Sequence, residues 1–172
     1  VERAIANLKG AGALDPAVLA AMDPGELAPL LRPAGYFNVK AERLQSLCRW
    51  LLDQGGVAAL AGRETGALRR DLLAVRGVGP ETADDILLYA FGRPVFVIDA
   101  YTRRLLARLG LARGDEPYDH LRRWVEEALG PDVPALNELH ALVVVHAKDT
   151  CRARAPRCGG CPLASGCAYA GA

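Results

Sequence analysis

Four cysteines close the chain, Cys151, Cys158, Cys161 and Cys167, separated by six, two and five residues, while a fifth, Cys48, stands apart. In an intracellular chain, thiols grouped this tightly point to a metal or cluster site more than to a pair of disulfides. Four thiolates can hold zinc tetrahedrally or one four-iron cluster, and the spacing leaves both open. Gly159 and Gly160, inside the central pair, leave backbone amides free to approach sulfur. Upstream, Gly77-Val78-Gly79-Pro80 reads as a tight turn that opens a helix. Its glycines admit backbone conformations closed to other residues, and proline suits the first helical turn. Outward-facing amides at that helix start would make a phosphate-sized anion site, with Val78 turned inward as a plug. Asp99 then precedes another helical run. A carboxylate there serves as a plain N-cap, or stabilises positive charge on a reacting carbon and orients or deprotonates water.

The elements that must position these residues are helices. From Val1 to about Leu73, apolar residues recur at three- and four-residue spacing, as in Leu44, Leu47, Cys48 and Leu51, and the breaks carry Pro and Gly. Asp15 before Pro16, Asp23 before Pro24 and Asn38 before Val39 to Asp53 are expected caps. One helix should end at Arg76 and the next open at Pro80. Tyr101, Leu105 and Leu109 share a face after Asp99, with Arg103, Arg104 and Arg108 off that stripe. Further helices are expected over about Pro117 to Leu129 and Pro134 to His146. Only Val95 to Ile98 suggests a strand, so the fold class is all-α.

Composition narrows the field. With 172 residues, 51% hydrophobic and 24% charged, the chain has enough apolar material for a core, which excludes a disordered or fibrous protein. Twenty-one Lys plus Arg against twenty Asp plus Glu give a formal charge of +1, so a polyanion must be held by local basic patches. No apolar run is long enough to span a membrane and no signal peptide is present, which predicts a cytoplasmic protein without a membrane partner. Val1 begins in helical pattern, from which missing N-terminal helices are expected.

Leu73 to Asp99, with its glycine corner and following acid, resembles the helix-hairpin-helix and catalytic aspartate of the endonuclease III superfamily of DNA glycosylases. The cysteine spacing, with His146 before it and Pro162 after the third cysteine, is similar to the iron-sulfur loop of that family. The resemblance implies a two-lobed fold, a helical barrel over 1–93 and an iron-sulfur cluster lobe over 94–172, with Asp99 in the cleft. It implies a 4Fe-4S cluster on Cys151, Cys158, Cys161 and Cys167, and a monovalent cation bound by hairpin carbonyls. It further implies a monomer acting on duplex DNA that contains a damaged base, with Arg76, Gly77, Val78 and Gly79 on the DNA backbone and Asp99 driving base release.

Some residues are read alongside that resemblance. Tyr36, Phe37 and Asn38, in a loop after Gly35, are candidates to fill the gap left by a flipped base, or simply pack on the barrel. Arg152, Arg154 and Arg157, between the first two cysteines, suggest phosphate contacts or a solvated run. Tyr89, Tyr101, Trp124 and Lys148 are candidates for a base pocket, each with an ordinary packing or surface alternative. His140 and His146 read as structural, and His120 as a surface residue.

The chain departs from the family at Glu81. Bifunctional members carry a lysine there, whose amine attacks the sugar and cuts the strand through a Schiff base; a carboxylate cannot form that imine. Only Lys9, Lys40 and Lys148 supply amines, against eighteen arginines. The expectation is a monofunctional enzyme with AP lyase activity absent. The stretch PETADDILLYA, Pro80 to Ala90, resembles the branch acting on alkylated purines. The alternatives are a bifunctional glycosylase/AP lyase on oxidised pyrimidines, using Lys148 or an absent N-terminal group, and a non-catalytic module that binds damaged DNA.

Overall fold

Paired acid and proline residues set the early helix starts. Asp15 accepts hydrogen bonds from the amides of Ala17 (2.8 Å) and Val18 (3.2 Å), and Asp23 accepts from Gly25 (2.7 Å), each just before a proline at the first helical position. The structure, a computed structural model, describes residues 1–171. Its helices are α1 (Glu2–Gly10), α2 (Pro16–Ala21), α3 (Pro24–Leu31), α4 (Phe37–Asp53), α5 (Gly56–Ala61), α6 (Thr65–Ala74), α7 (Pro80–Asp85), α8 (Ala100–Leu109), α9 (Tyr118–Leu129) and α10 (Val133–Asp149). A π-helical turn, Ile86–Ala90, continues α7. Among the described residues there is no strand, as the all-α reading expected.

Several boundaries differ from the sequence reading. Asn38 does not cap α4. Gly35 (φ 68°) and Tyr36 (φ 46°, ψ 38°) reverse the chain in left-handed conformations, so the helix begins at Phe37 with Asn38 already inside it. The helix before the glycine corner stops at Ala74, short of Arg76, because Val75 is extended. Two caps had not been expected: Glu64 accepts from Gly66 and Ala67 to start α6, and Asp132 accepts from Ala135 to start α10.

Contacts divide the chain into two compact units, residues 1–79 and the chain from Pro80 onward, a cut inside the glycine corner and upstream of the 93/94 boundary read from the sequence. In the first unit α2 and α3 pack on α4 around Leu8, Leu19, Leu27, Leu31, Ala41 and Cys48. Gln45, buried on α4, donates to the carbonyls of Leu19 (3.1 Å) and Met22 (2.7 Å), satisfying both its own amide and the end of α2. Cys48 is part of this core, and burial pushes its thiol pKa up, away from reactivity.

In the second unit the extension of α7 packs on α10, and Leu88, Phe96, Val97, Ile98, Leu121, Val125 and Leu136 form the core. Val95 to Ile98, the stretch that resembled a strand, forms no strand and is almost wholly buried. Side chains take the place of a neighbouring strand: the Phe96 amide donates to Glu126 (2.8 Å) and the Ile98 amide to the Tyr118 hydroxyl (3.3 Å). That buried segment delivers Asp99 to the start of α8.

Candidate active site

Asp99 is the N-cap of α8. Its Oδ1 accepts the Thr102 amide hydrogen at 2.7 Å, which leaves Oδ2 outside the cap. Oδ2 lies 3.7 Å from Nε2 of His140 on α10. Burial pushes the Asp99 carboxyl pKa up, but the His140 imidazole and the amide and hydroxyl of Thr102 together outweigh it and hold it below the usual value. A nearly buried carboxylate that stays ionised can stabilise adjacent positive charge.

Sequence reasoning did not bring His140 to Asp99. Read as structural, it is buried between Asp99 and Tyr89, whose hydroxyl meets Nδ1 at 2.6 Å. Phe96 meets the imidazole edge-on at 5.9 Å between ring centroids. The α7 segment also brings acid to this place. Burial raises the Asp85 carboxyl pKa to about 6, with Glu81, Asp99 and Asp84 adding to the rise and His140 opposing it. Glu81 is raised in the same sense, by burial and then by Asp99. Thus one carboxylate is held ionised and a neighbouring carboxyl is shifted toward neutral pH, the kind of separation that marks functional sites. The sequence signal was available in part, since Glu81, Asp85 and Tyr89 recur every four residues.

The other pocket candidates do not join this cluster as one group. Tyr101 stacks under the Arg104 guanidinium at 5.3 Å, with Lys148 Nζ 5.9 Å from its ring centroid. Trp124 lines an apolar cavity with Leu111, Ala128 and Leu129. Tyr89 is the candidate found beside Asp99's partner.

At the glycine corner, Val78 is buried, as a plug should be. Gly77 has φ +90°, and a Cβ there would lie 2.2 Å from Cγ of Arg43, so both conformation and packing demand glycine. Gly79 is a correction: its φ is not in the left-handed region, and a Cβ there would meet nothing within 4 Å. Its missing side chain leaves open space. Arg76 is exposed and paired with Glu42 at 3.2 Å. In the aromatic loop Tyr36 is 88% exposed, whereas Phe37 packs against the first unit's core beneath Arg32. Phe37 therefore follows the packing alternative, and the exposed ring is that of Tyr36. Asn38 is exposed on the first turn of α4.

The cysteine tail is anchored by α8. Arg104 donates to the carbonyls of Cys151 and Ala147 (both 3.0 Å), and Arg108 to those of Cys151 (3.3 Å), Arg152 (2.8 Å) and Ala153 (3.2 Å). Arg108 Nη1 is also 3.3 Å from Cys151 Sγ, and its carbonyl is 3.2 Å from Cys167 Sγ. Cys151, Cys158, Cys161 and Cys167 line one pocket together with His146, whose Nε2 is 3.7 Å from Cys161 Sγ. Among the described residues no three His, Cys, Asp or Glu side chains converge on a single-ion site. Arg152 departs from its expected outward role: partly buried, it turns back to the Ala155 carbonyl at 3.1 Å. Arg154 and Arg157 are exposed.

An all-helical chain with a glycine corner between α6 and α7 and a capping acid at α8 has the helix-hairpin-helix architecture. It matches the family model described as HhH-GPD superfamily base excision DNA repair protein over residues 1–131. A protein of Methanocaldococcus jannaschii provisionally named a DNA repair glycosylase is 41% identical over 170 residues, 97% of this chain and 77% of that one. Endonuclease III of Haemophilus influenzae is 34% identical over 147 residues, 83% of this chain; the match spans 64% of that protein's length. Among solved structures, a non-covalent endonuclease III-DNA complex has a TM-score of 0.75 at 26% identity, covering 92% of this chain and 70% of that one. The H. pylori 3-methyladenine DNA glycosylase bound to 1,N6-ethenoadenine has a TM-score of 0.74 at 29% identity, covering 85% and 75%. The chain belongs to the HhH-GPD superfamily of base excision DNA repair proteins. Among the described residues no helix is long and apolar enough to cross a membrane.

Proposed function

We propose that this protein is a monofunctional DNA N-glycosylase that takes a damaged base out of duplex DNA and hydrolyses its bond to the sugar, with alkylated purines as favoured substrates. The observation that carries the reading is Asp99: an ionised, nearly buried carboxylate with one oxygen in the cap and the other outside it. In hydrolysis the bond from C1′ to the base nitrogen breaks, and the base keeps the bonding pair. Water adds at C1′, and its proton is released. Asp99 opposes the positive charge that builds on the sugar and orients the water. A purine alkylated on a ring nitrogen is cationic and leaves readily, which suits a site rich in acid at Glu81, Asp85 and Asp99. The 3-methyladenine glycosylase likeness supports the same substrate class.

Glu81 at the position of the lyase lysine supports the monofunctional reading, because a carboxylate supplies no amine for a Schiff base. The open face at Gly79 leaves room for a strand backbone, a monovalent cation would sit on the hairpin carbonyls, and the exposure of Arg76, Arg154 and Arg157 supports a role for each in phosphate contact. Tyr36 is the side chain offered to fill the gap left by the flipped base. The four tail cysteines line one pocket, with Arg108 Nη1 3.3 Å from Cys151 Sγ, and four sulfur ligands on one loop suit a 4Fe-4S cluster. When bound, the cluster would staple the tail and take no part in base release. Iron content and brown colour in the isolated protein test it, and a colourless zinc protein would refute it.

The function is tested by single-turnover assays on duplexes carrying alkylated, oxidised, deaminated or mismatched bases. Alkylated purines should be released fastest and leave an uncut abasic strand. Asp99→Asn should slow release by at least about 100-fold while leaving affinity within a few fold. No product from any duplex, with binding intact, would overturn the enzymatic reading. A covalent adduct trapped by borohydride on an abasic duplex would overturn the monofunctional one.

A further inference from the structure

Asp99 is the working carboxylate of the proposed glycosylase, and the role of its neighbour His140 deepens that reading and rests on it. We propose that His140 is the positioning residue for Asp99, and that the Tyr89 hydroxyl sets which ring nitrogen His140 presents to it. Capping fixes only one oxygen of Asp99, because Oδ1 is committed to the Thr102 amide. The orientation and charge of Oδ2 depend on what lies on its other side, and His140 Nε2 is there at 3.7 Å. This nitrogen is buried and has no partner within hydrogen-bond range. At Nδ1 the Tyr89 hydroxyl stands at 2.6 Å. A phenol is the natural donor to a neutral imidazole nitrogen, which then accepts and leaves the ring hydrogen on Nε2, facing Oδ2.

Three separate elements build this line, Tyr89 on the extension of α7, His140 on α10 and Asp99 at the cap of α8. Phe96 closes the edge of the imidazole, so the ring cannot turn freely. Two further carboxyls lie in electrostatic reach, Glu81 and Asp85, and the Asp99 charge pushes both upward. His140, with Thr102, favours the Asp99 carboxylate against its burial. Replacing His140 leaves Asp99 buried among acids, with Oδ2 unheld.

Direct titration of the Asp99 side chain decides the matter without any reaction. Full-length protein labelled with 13C-aspartate, with Asp99→Asn identifying the resonance, is titrated as wild type, His140→Leu, His140→Gln and Tyr89→Phe. Asp99 in His140→Leu should titrate about one pH unit or more higher than in wild type. Gln, which keeps an N–H near the Nε2 position, should restore part of the difference, and Tyr89→Phe should move the value the same way by a smaller amount. In single-turnover assays the acid limb of the rate profile should move with the titration. An unshifted Asp99 in folded His140→Leu overturns the proposal; should that variant not fold, an unshifted value in both His140→Gln and Tyr89→Phe does so. If wild type releases no base, the glycosylase reading fails while the titration still decides whether His140 governs Asp99. If base is released and the titration does not move, the His140 assignment alone falls.

Discussion

Asp85 gives the pH dependence of this protein a definite sign. Burial, reinforced by Glu81, Asp99 and Asp84 and opposed by His140, lifts its carboxyl pKa to about 6. The folded chain therefore holds this proton more tightly than the unfolded chain. The group's contribution to stability is complete below about pH 4 and is lost as pH rises through about 6. Asp85→Asn should accordingly melt higher than wild type at pH 7.5, by on the order of 1 kcal/mol once solvent screening is allowed for, with the gap closing near pH 4. Thermal unfolding followed by circular dichroism at the two pH values checks this, and a constant difference would contradict it. Asp99 runs the other way: its carboxyl is held low, so its contribution is present above the ordinary aspartate value and fades as pH falls through the lowered one. Of these residues, the sequence announced Asp99 through its place ahead of a helix. His140 was hidden because its contacts are long-range; Tyr89 lies fifty-one positions away in the chain. Periodicity reports which face of a helix is apolar and is silent about which distant polar group that face will meet.

At the scale of elements, the two glycines of the corner make separable predictions. Gly77→Ala forces a side chain onto Arg43 and into a left-handed backbone, and should cost about 1–3 kcal/mol in a urea titration. Gly79→Ala meets neither obstacle and should leave the urea midpoint nearly unchanged while weakening duplex binding, because the new methyl occupies the open face. Equal losses of stability in both variants would show the corner to be purely structural. The corner was legible in the sequence as a pair of glycines before a proline, but their different duties were not, since the left-handed backbone at Gly77 and the packing of Arg43 against it distinguish them. The aspartate caps were legible because an acid one residue before proline or ahead of an apolar run has few other local uses. Asn38 failed the same test: Gly35 and the left-handed Tyr36 start α4 early, a backbone event that residue type alone does not reveal. Val95 to Ile98 carried a β-like composition with no second strand among the described residues to pair it, and Glu126 and Tyr118 supply its partners instead.

For the molecule as a whole, a formal charge of +1 means that the proposed attraction to DNA must come from local groups. Replacing Arg154 and Arg157 together by alanine should weaken duplex binding and lower the steepness of its salt dependence by about two phosphate contacts. Fluorescence anisotropy over a salt series measures the slope, and an unchanged slope would return both arginines to the status of solvated surface. Replacing Arg152 should disturb the loop more than the slope, because its guanidinium is already engaged with the Ala155 carbonyl. The class of the fold and the order of its motifs were open to reading from the chain, since both are local patterns. The tie between α8 and the tail was not, because four carbonyls far along the chain had to be placed before two arginines off an apolar stripe could be recognised as anchors. That tie makes α8 a shared lever: the acid stands at one end and the sulfur-bearing tail hangs from the other. An oxidant that unseats the tail would slacken the far end of the same rod, so damage to the cysteines should register at the acid without any electron passing between them.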